Sequence, residues 1–144
     1  MNIRQFFSQE EQDKIIKAIE QAELNTSGEI RVHIENYKKD NTLERAAFWF
    51  KKLKMDNTKE RNGVLFYLSP KNKRFAIVGD QGIHEKVGDD FWNEIRDIMT
   101  DHFKTGDFVT GLTKGIEKTG EKLKSFFPYQ TDDVNELPNE ISFN

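Results

Sequence analysis

Apolar and polar positions alternate along the chain in two distinct periods, and the changes of period mark its elements. Ser8-Gln9-Glu10-Glu11 has the capping-box pattern, with Ser8 at the N-cap and Glu11 three positions on. Ile15, Ile16, Ile19 and Ala22 follow at helical spacing, which predicts a helix from about Gln9 to Leu24, ended by Asn25-Thr26-Ser27-Gly28. From Glu29 the period becomes two. Ile30, Val32 and Ile34 face one way and Arg31, His33 and Glu35 the other, which predicts a strand with one wet face. Leu43, Ala46, Ala47, Phe50 and Leu53 return to helical spacing, giving a second helix from about Thr42 to Leu53. Gly63–Ser69 is then a short apolar run of strand length, Pro70-Lys71-Asn72-Lys73 a turn, and Arg74–Val78 a second run of β-formers. Pro70 can begin a turn but would break a ladder, so these two strands should be antiparallel. Strand, helix, strand predicts a parallel, right-handed crossover, and the hairpin makes the sheet mixed.

Beyond Gly82, Asp89 or Asp90 is placed to cap a third helix carrying Phe91, Ile95, Ile98 and His102, which Lys104-Thr105-Gly106 ends. Asp107 is placed to cap a fourth, with Phe108, Leu112, Ile116, Thr119, Leu123 and Phe127, stopped by Pro128. Gly111, Gly115 and Gly120 should each cost that helix ~1 kcal/mol relative to alanine. Close packing of its backbone on the sheet is the expected compensation. The pattern predicts one α/β domain over residues 1–128, a three-layer α/β/α sandwich with a mixed parallel/antiparallel sheet. Residues 129–144 hold four acidic residues, no basic ones and little apolar content, and read as an acidic flexible tail.

Composition removes several function classes. Lys+Arg of 22 against Asp+Glu of 25 leaves a formal charge of -3, without the basic surplus of a nucleic-acid binder. The absence of cysteine excludes disulfides, thiolate catalysis and any Cys-ligated metal. His33, His84 and His102 are too scattered for a short metal motif. No apolar run reaches the ~20 residues of a membrane span, and Met1–Phe7 does not have the form of a signal sequence. A cytoplasmic, monomeric protein without nucleic-acid or membrane partners is the expectation.

Chemistry is sparser. Gly79-Asp80-Gln81-Gly82 is neither the Walker pattern nor GxGxxG, and no GxSxG elbow occurs. Carboxylates at element ends are the better lead: Asp80 after a strand, Asp89 and Asp90 at a helix start, and Glu29 opening the first strand. Loops of a parallel-type sheet can gather such groups at one rim, and oxygen ligands suit Ca²⁺ or Mg²⁺ rather than zinc. The alternative is that Asp89 and Asp90 are helix caps, Asp80 a turn residue and Glu29 solvated.

Four segments taken together resemble the TPM domain family, which is named after a thylakoid lumen protein, a photosystem II repair protein and a nematode receptor modulator. They are Ser27-Gly28-Glu29 leading into Ile30-Arg31-Val32; Asn62-Gly63-Val64-Leu65; Arg74 with Val78-Gly79-Asp80-Gln81-Gly82-Ile83; and Gly106-Asp107-Phe108. The resemblance spans about Phe6 to Phe127 and implies the same α/β/α fold. It also implies binding of divalent cations, chiefly calcium and more weakly magnesium, at an acidic rim. Glu29 matches the acidic residue after Ser-Gly and Asp89 the aspartate after the glycine-containing segment. Asp80 lies in the glycine loop itself, and Asp90 matches less closely. Many members have a leader before the domain and a membrane-spanning or glycine-rich segment after it; this chain is most similar to the small free-standing flavobacterial members. The plant member's acid phosphatase activity implies an alternative, metal-dependent hydrolysis of phosphomonoesters, with Asp80 or Asp89 orienting a water and Arg61 or Arg74 clamping the phosphate. A third reading is a non-enzymatic interaction module, resting on the lack of a matched nucleophile and base and on the unassigned aromatics Trp49 and Trp92.

Overall fold

The capping box forms as the sequence spells it. Ser8 Oγ accepts from the Glu11 amide at 3.1 Å and Glu11 Oε1 accepts from the Ser8 amide at 2.9 Å, opening helix α1 (Gln9–Glu23). A computed structural model of the protein describes residues 2–130 and 135–144. In chain order, α1 is followed by β1 (Glu29–Ile34), α2 (Thr42–Lys52), β2 (Gly63–Ser69), β3 (Arg74–Gly79) and the single turn α3 (Gln81–His84). Then come α4 (Asn93–Lys104), α5 (Phe108–Leu123) and β4 (Ser142–Phe143). Strand order is β3-β2-β1-β4. β1 and β2 are parallel with Glu29 opposite Gly63, and β3 returns antiparallel with Gly79 opposite Val64.

Alternation along the strands sorts the two faces. Ile30, Val32, Ile34, Val64, Phe66 and Leu68 point to one side and join the buried residues of α1, α4 and α5 in the main core. Leu65 points to the other and packs with Phe50 of α2, Met55 and Leu137 in a smaller one. Helices on both faces of an open mixed sheet give the expected α/β/α sandwich. β2, flanked on both sides and covered on both faces, is buried along its whole length, as a continuous apolar run requires.

Four local expectations need correction. Most of the polar face of β1 is dry: Glu29, His33 and Glu35 are buried and Arg31 is half-buried, because α2 and the C-terminal segment cover that side. Asp89 and Asp90 do not cap α4. They lie in an exposed turn, and burial of Phe91 and Trp92 delays the helix to Asn93. The glycines of α5 receive neighbouring helices first, with Phe66 of β2 a more distant neighbour of Gly115 at 3.6 Å. A Cβ on Gly111 would lie 2.5 Å from a Phe103 ring carbon, on Gly115 2.8 Å from Met99 Sδ, and on Gly120 2.9 Å from Ala22 Cβ.

The fourth concerns the C-terminal segment read as a flexible tail. Over residues 135–144 it packs back on the domain, while residues 131–134 of that segment lie outside the described residues. Leu137 and Ile141 are buried, and β4 adds to β1 with Ser142 opposite His33 and Phe143 opposite Ile34. Two apolar anchors and a strand edge with free backbone groups outweigh the acidic composition.

Candidate functional site

Register alone brings three of the sequence-selected loops to one end of the sheet. Because β1 and β2 start together and β3 ends beside them, Glu29, Gly63 and Asp80 lie side by side. The Glu29 amide donates to Asn62 O at 3.3 Å and the Asp80 amide to Gly63 O at 2.9 Å. This is the amino end of the parallel strands, not the carboxyl end at which open α/β sheets usually hold ligands. Trp92 lies against Gly79, so the turn containing Asp89 and Asp90 approaches the same end.

The four carboxylates nevertheless have different surroundings. Asp80 is buried and fully engaged. It caps α3 by accepting from the Gln81 amide at 2.7 Å and receives both arms of Arg61, Nε at 2.9 Å and Nη2 at 3.1 Å. Arg61 reaches it from a left-handed backbone (φ 52°), and a Cβ on Gly82 would collide with the Glu60 and Arg61 carbonyls, so only glycine admits this close approach. Asp89 is exposed, and so is Asp90, which accepts from Asn93 Nδ2 at 3.2 Å. Among the described residues, no three or more His, Cys, Asp or Glu side chains are grouped so as to hold a metal ion. Arg74 is at the far end of β3, 3.6 Å from Asp40, so Arg61 and Arg74 do not flank one site.

Glu29 turns the other way, toward Glu23 at the end of α1. Glu23 Oε2 accepts from the Ile30 amide at 2.9 Å and Glu29 Oε1 accepts from the Glu136 amide at 2.5 Å. They line an open pocket of about 200 Å³ with Glu20, Thr26, Ser27 and Asn139. Burial pushes Glu23 up to about 8, against the lowering effect of the Ile30 amide, and the Glu29 charge adds to the rise. Burial raises Glu29 too. Neither has a cation beside it among the described ion pairs. The pair therefore keeps a proton near neutrality. Sequence reading missed Glu23, although it lies four residues beyond Ile19 and extends the inward stripe of α1.

A second polar cluster, also missed, fills the α2 side of the sheet. Arg45 grips Glu35 with Nε at 2.9 Å and Nη2 at 2.5 Å, Tyr67 Oη donates to it at 2.6 Å and Asn144 Nδ2 at 3.1 Å. Burial acts to raise Glu35, but these donors outweigh it and hold the carboxyl low. Beside them His33 Nδ1 lies 2.9 Å from Ser142 Oγ and its ring stacks on Trp49 at 4.1 Å. These residues lock α2 and β4 onto β1. Trp49, left unassigned by the sequence, is used here, and Trp92 is buried in the main core. His84 is exposed, and His102 is half-buried with Nδ1 2.9 Å from Ile98 O.

A layered α/β/α domain with an open, mixed four-stranded sheet is the arrangement that the four sequence segments pointed to. The TPM domain family matches residues 2–122, and the chain belongs to that family. It is similar to the BA42 protein of the psychrophilic bacterium Bizionia argentinensis, whose structure was determined by NMR. Identity is 48%, with 99% of each chain covered and a TM-score of 0.93. The N-terminal domain of a P. gingivalis protein shares the fold at 18% identity and a TM-score of 0.69, covering 86% of this chain and 82% of that one. The N-terminal domain of cg2496 from Corynebacterium glutamicum does so at 13% and 0.64, covering 81% and 74%. No curated protein matches the chain. No helix among the described residues is long and apolar enough to cross a membrane.

Proposed function

We propose that this domain binds a divalent cation, Ca²⁺ in preference to Mg²⁺, at the Glu23–Glu29 pair. One observation carries the reading: the carboxyls of Glu23 and Glu29 line one open pocket with no basic partner among the described ion pairs. A cation replacing the proton that the pair keeps would relieve their repulsion. Their carboxylate oxygens, supplemented by water in the open pocket, form an irregular, all-oxygen donor set that suits calcium better than octahedral magnesium. Asp80 fits such an ion poorly, because its oxygens are already taken by Arg61. Since α1, β1 and the C-terminal segment all contribute, the ion would act as a clip between them.

Titration of the protein with CaCl₂ and MgCl₂, followed by backbone amide shifts, tests this. Saturable changes should centre on residues 20–30 and 135–139, and Glu29→Gln should weaken calcium binding at least tenfold while Asp89→Asn leaves it unchanged. Affinity should rise with pH between 6 and 8, by up to about tenfold per unit, because the pair must release its proton. Shifts confined to residues 80–90, or none at millimolar calcium, would overturn the assignment.

A further inference from the structure

At the opposite end of β3 from Asp80, between the hairpin tip and the α4–α5 connection, lies a larger cavity of about 560 Å³. Its walls are Phe75, Phe103 and Phe108 together with Thr100, Lys73 and Lys104. The rings form a continuous row: Phe75 to Phe103 at 5.1 Å, Phe103 to Phe108 at 5.1 Å, and Phe108 to Phe6 at 5.5 Å. All three lining phenylalanines are half-buried, so a substantial aromatic surface remains open to solvent. The charge at this cavity is one-sided. Two lysines and no carboxylate line it, in a chain of net charge -3, and neither lysine belongs to an ion pair among the described residues. Farther along the row, past Phe108, the neighbouring surface turns acidic with Glu11 and Asp107.

We infer that this cavity is a binding site for a monomeric anionic amphiphile of the fatty-acid type. A carboxylate head would lie between Lys73 and Lys104, and the hydrocarbon chain would run along the phenylalanine row. The volume falls within the range of small-molecule sites, and apolar walls with a few placed charges are what such sites present. Polarity follows from the charges: an anionic head is attracted at the lysine end and repelled at the Glu11–Asp107 end. Gly106, with φ +81°, makes the tight turn between α4 and α5 without adding a side chain at the cavity wall.

The test is amide-shift titration of the whole protein with octanoate, decanoate and dodecanoate, each kept below its micelle-forming concentration. Saturable shifts are expected at residues 73–75 and 100–108. Affinity should tighten roughly fourfold per added methylene until the cavity is filled. Lys73→Gln with Lys104→Gln, both exposed and away from the core, should weaken decanoate at least tenfold while leaving the spectrum otherwise folded. Decanol should bind at least tenfold more weakly than decanoate to the unaltered protein. Equal affinity for decanol, an unaffected double variant, or shifts scattered over the surface would overturn the inference. So would binding to anionic phospholipid vesicles without binding of the free monomer.

Discussion

His33 is wholly buried, yet it lies near charges from two elements, Arg31 and Glu35 on or beside its own strand and Arg45 on α2, with the Tyr67 ring of β2 stacked at 6.0 Å. Burial pushes it down to about 4, and Arg31 and Arg45 add to this against the upward pull of Glu35. Between the unfolded value near 6.5 and about 4, the unfolded chain holds a proton that the folded one refuses. Stability due to His33 is thus lost as pH falls through that window, by up to about 1.4 kcal/mol per unit. Glu23 acts in the opposite sense. Its folded value of about 8 lies above the usual 4.5, so its contribution is complete below 4.5 and is lost as pH rises toward 8. Where the windows overlap, from about 4.5 to 6.5, the two slopes largely cancel. Urea denaturation should therefore show His33→Gln losing stability with rising pH more steeply than the parent over that interval, by about 1 kcal/mol per unit. Parallel curves for the two proteins would show that His33 titrates normally. At this scale the sequence was least informative: strand periodicity placed Arg31, His33 and Glu35 on one face, but a polar face can be wet or covered, and only distant residues decide which.

At the scale of elements, the local code was legible because each signal is local. The Ser8 capping box, the Asp107 cap whose Oδ1 accepts from the Thr110 amide at 3.2 Å, and the Pro70 turn need only neighbours in sequence. The start of α4 was not legible, since burial of Phe91 and Trp92 overrides two good capping residues. Nor was the direction in which the α5 glycines are contacted, because the partners lie on α1 and α4. That contact makes a discriminating prediction. At Gly115 an added methyl meets Met99, a flexible side chain, and gains about 1 kcal/mol of helix propensity, so Gly115→Ala should stay within about 1 kcal/mol of the parent. At Gly120 the methyl meets Ala22 Cβ, Cα and carbonyl oxygen at 2.9 to 3.1 Å, where nothing can rotate away. Gly120→Ala should cost about 1–3 kcal/mol. Chemical denaturation of both variants checks the order, and a Gly120 variant as stable as the Gly115 one would show that α1 and α5 can move apart.

Over the whole molecule, the layered architecture follows from strand, helix, strand and hairpin in that order, and so could be read before any coordinates. The closure of the sheet could not. Residues 135–144 carry too few apolar side chains to announce a strand, and their anchoring depends on what β1 leaves open. Their described contacts tie together both polar clusters. The Glu136 amide serves Glu29, Asn139 lines the Glu23 pocket, Ser142 meets His33, Asn144 donates to Glu35, and the Phe143 ring lies beneath the Arg4 guanidinium at 5.5 Å. Removing Ile141–Asn144 should therefore do more than shorten the chain. Glu35 loses one charge-assisted donor, worth about 2 kcal/mol before water replaces part of it, and the β1 edge at His33 and Ile34 is left unpaired. An unpaired edge beside a buried apolar face invites another strand. The expected result is a midpoint of thermal unfolding lower by on the order of 5 °C, with association that grows with protein concentration in size-exclusion chromatography. If the shortened chain melts where the full one does and elutes at the same volume at every concentration, then β4 is an ornament on a sheet already closed by α2.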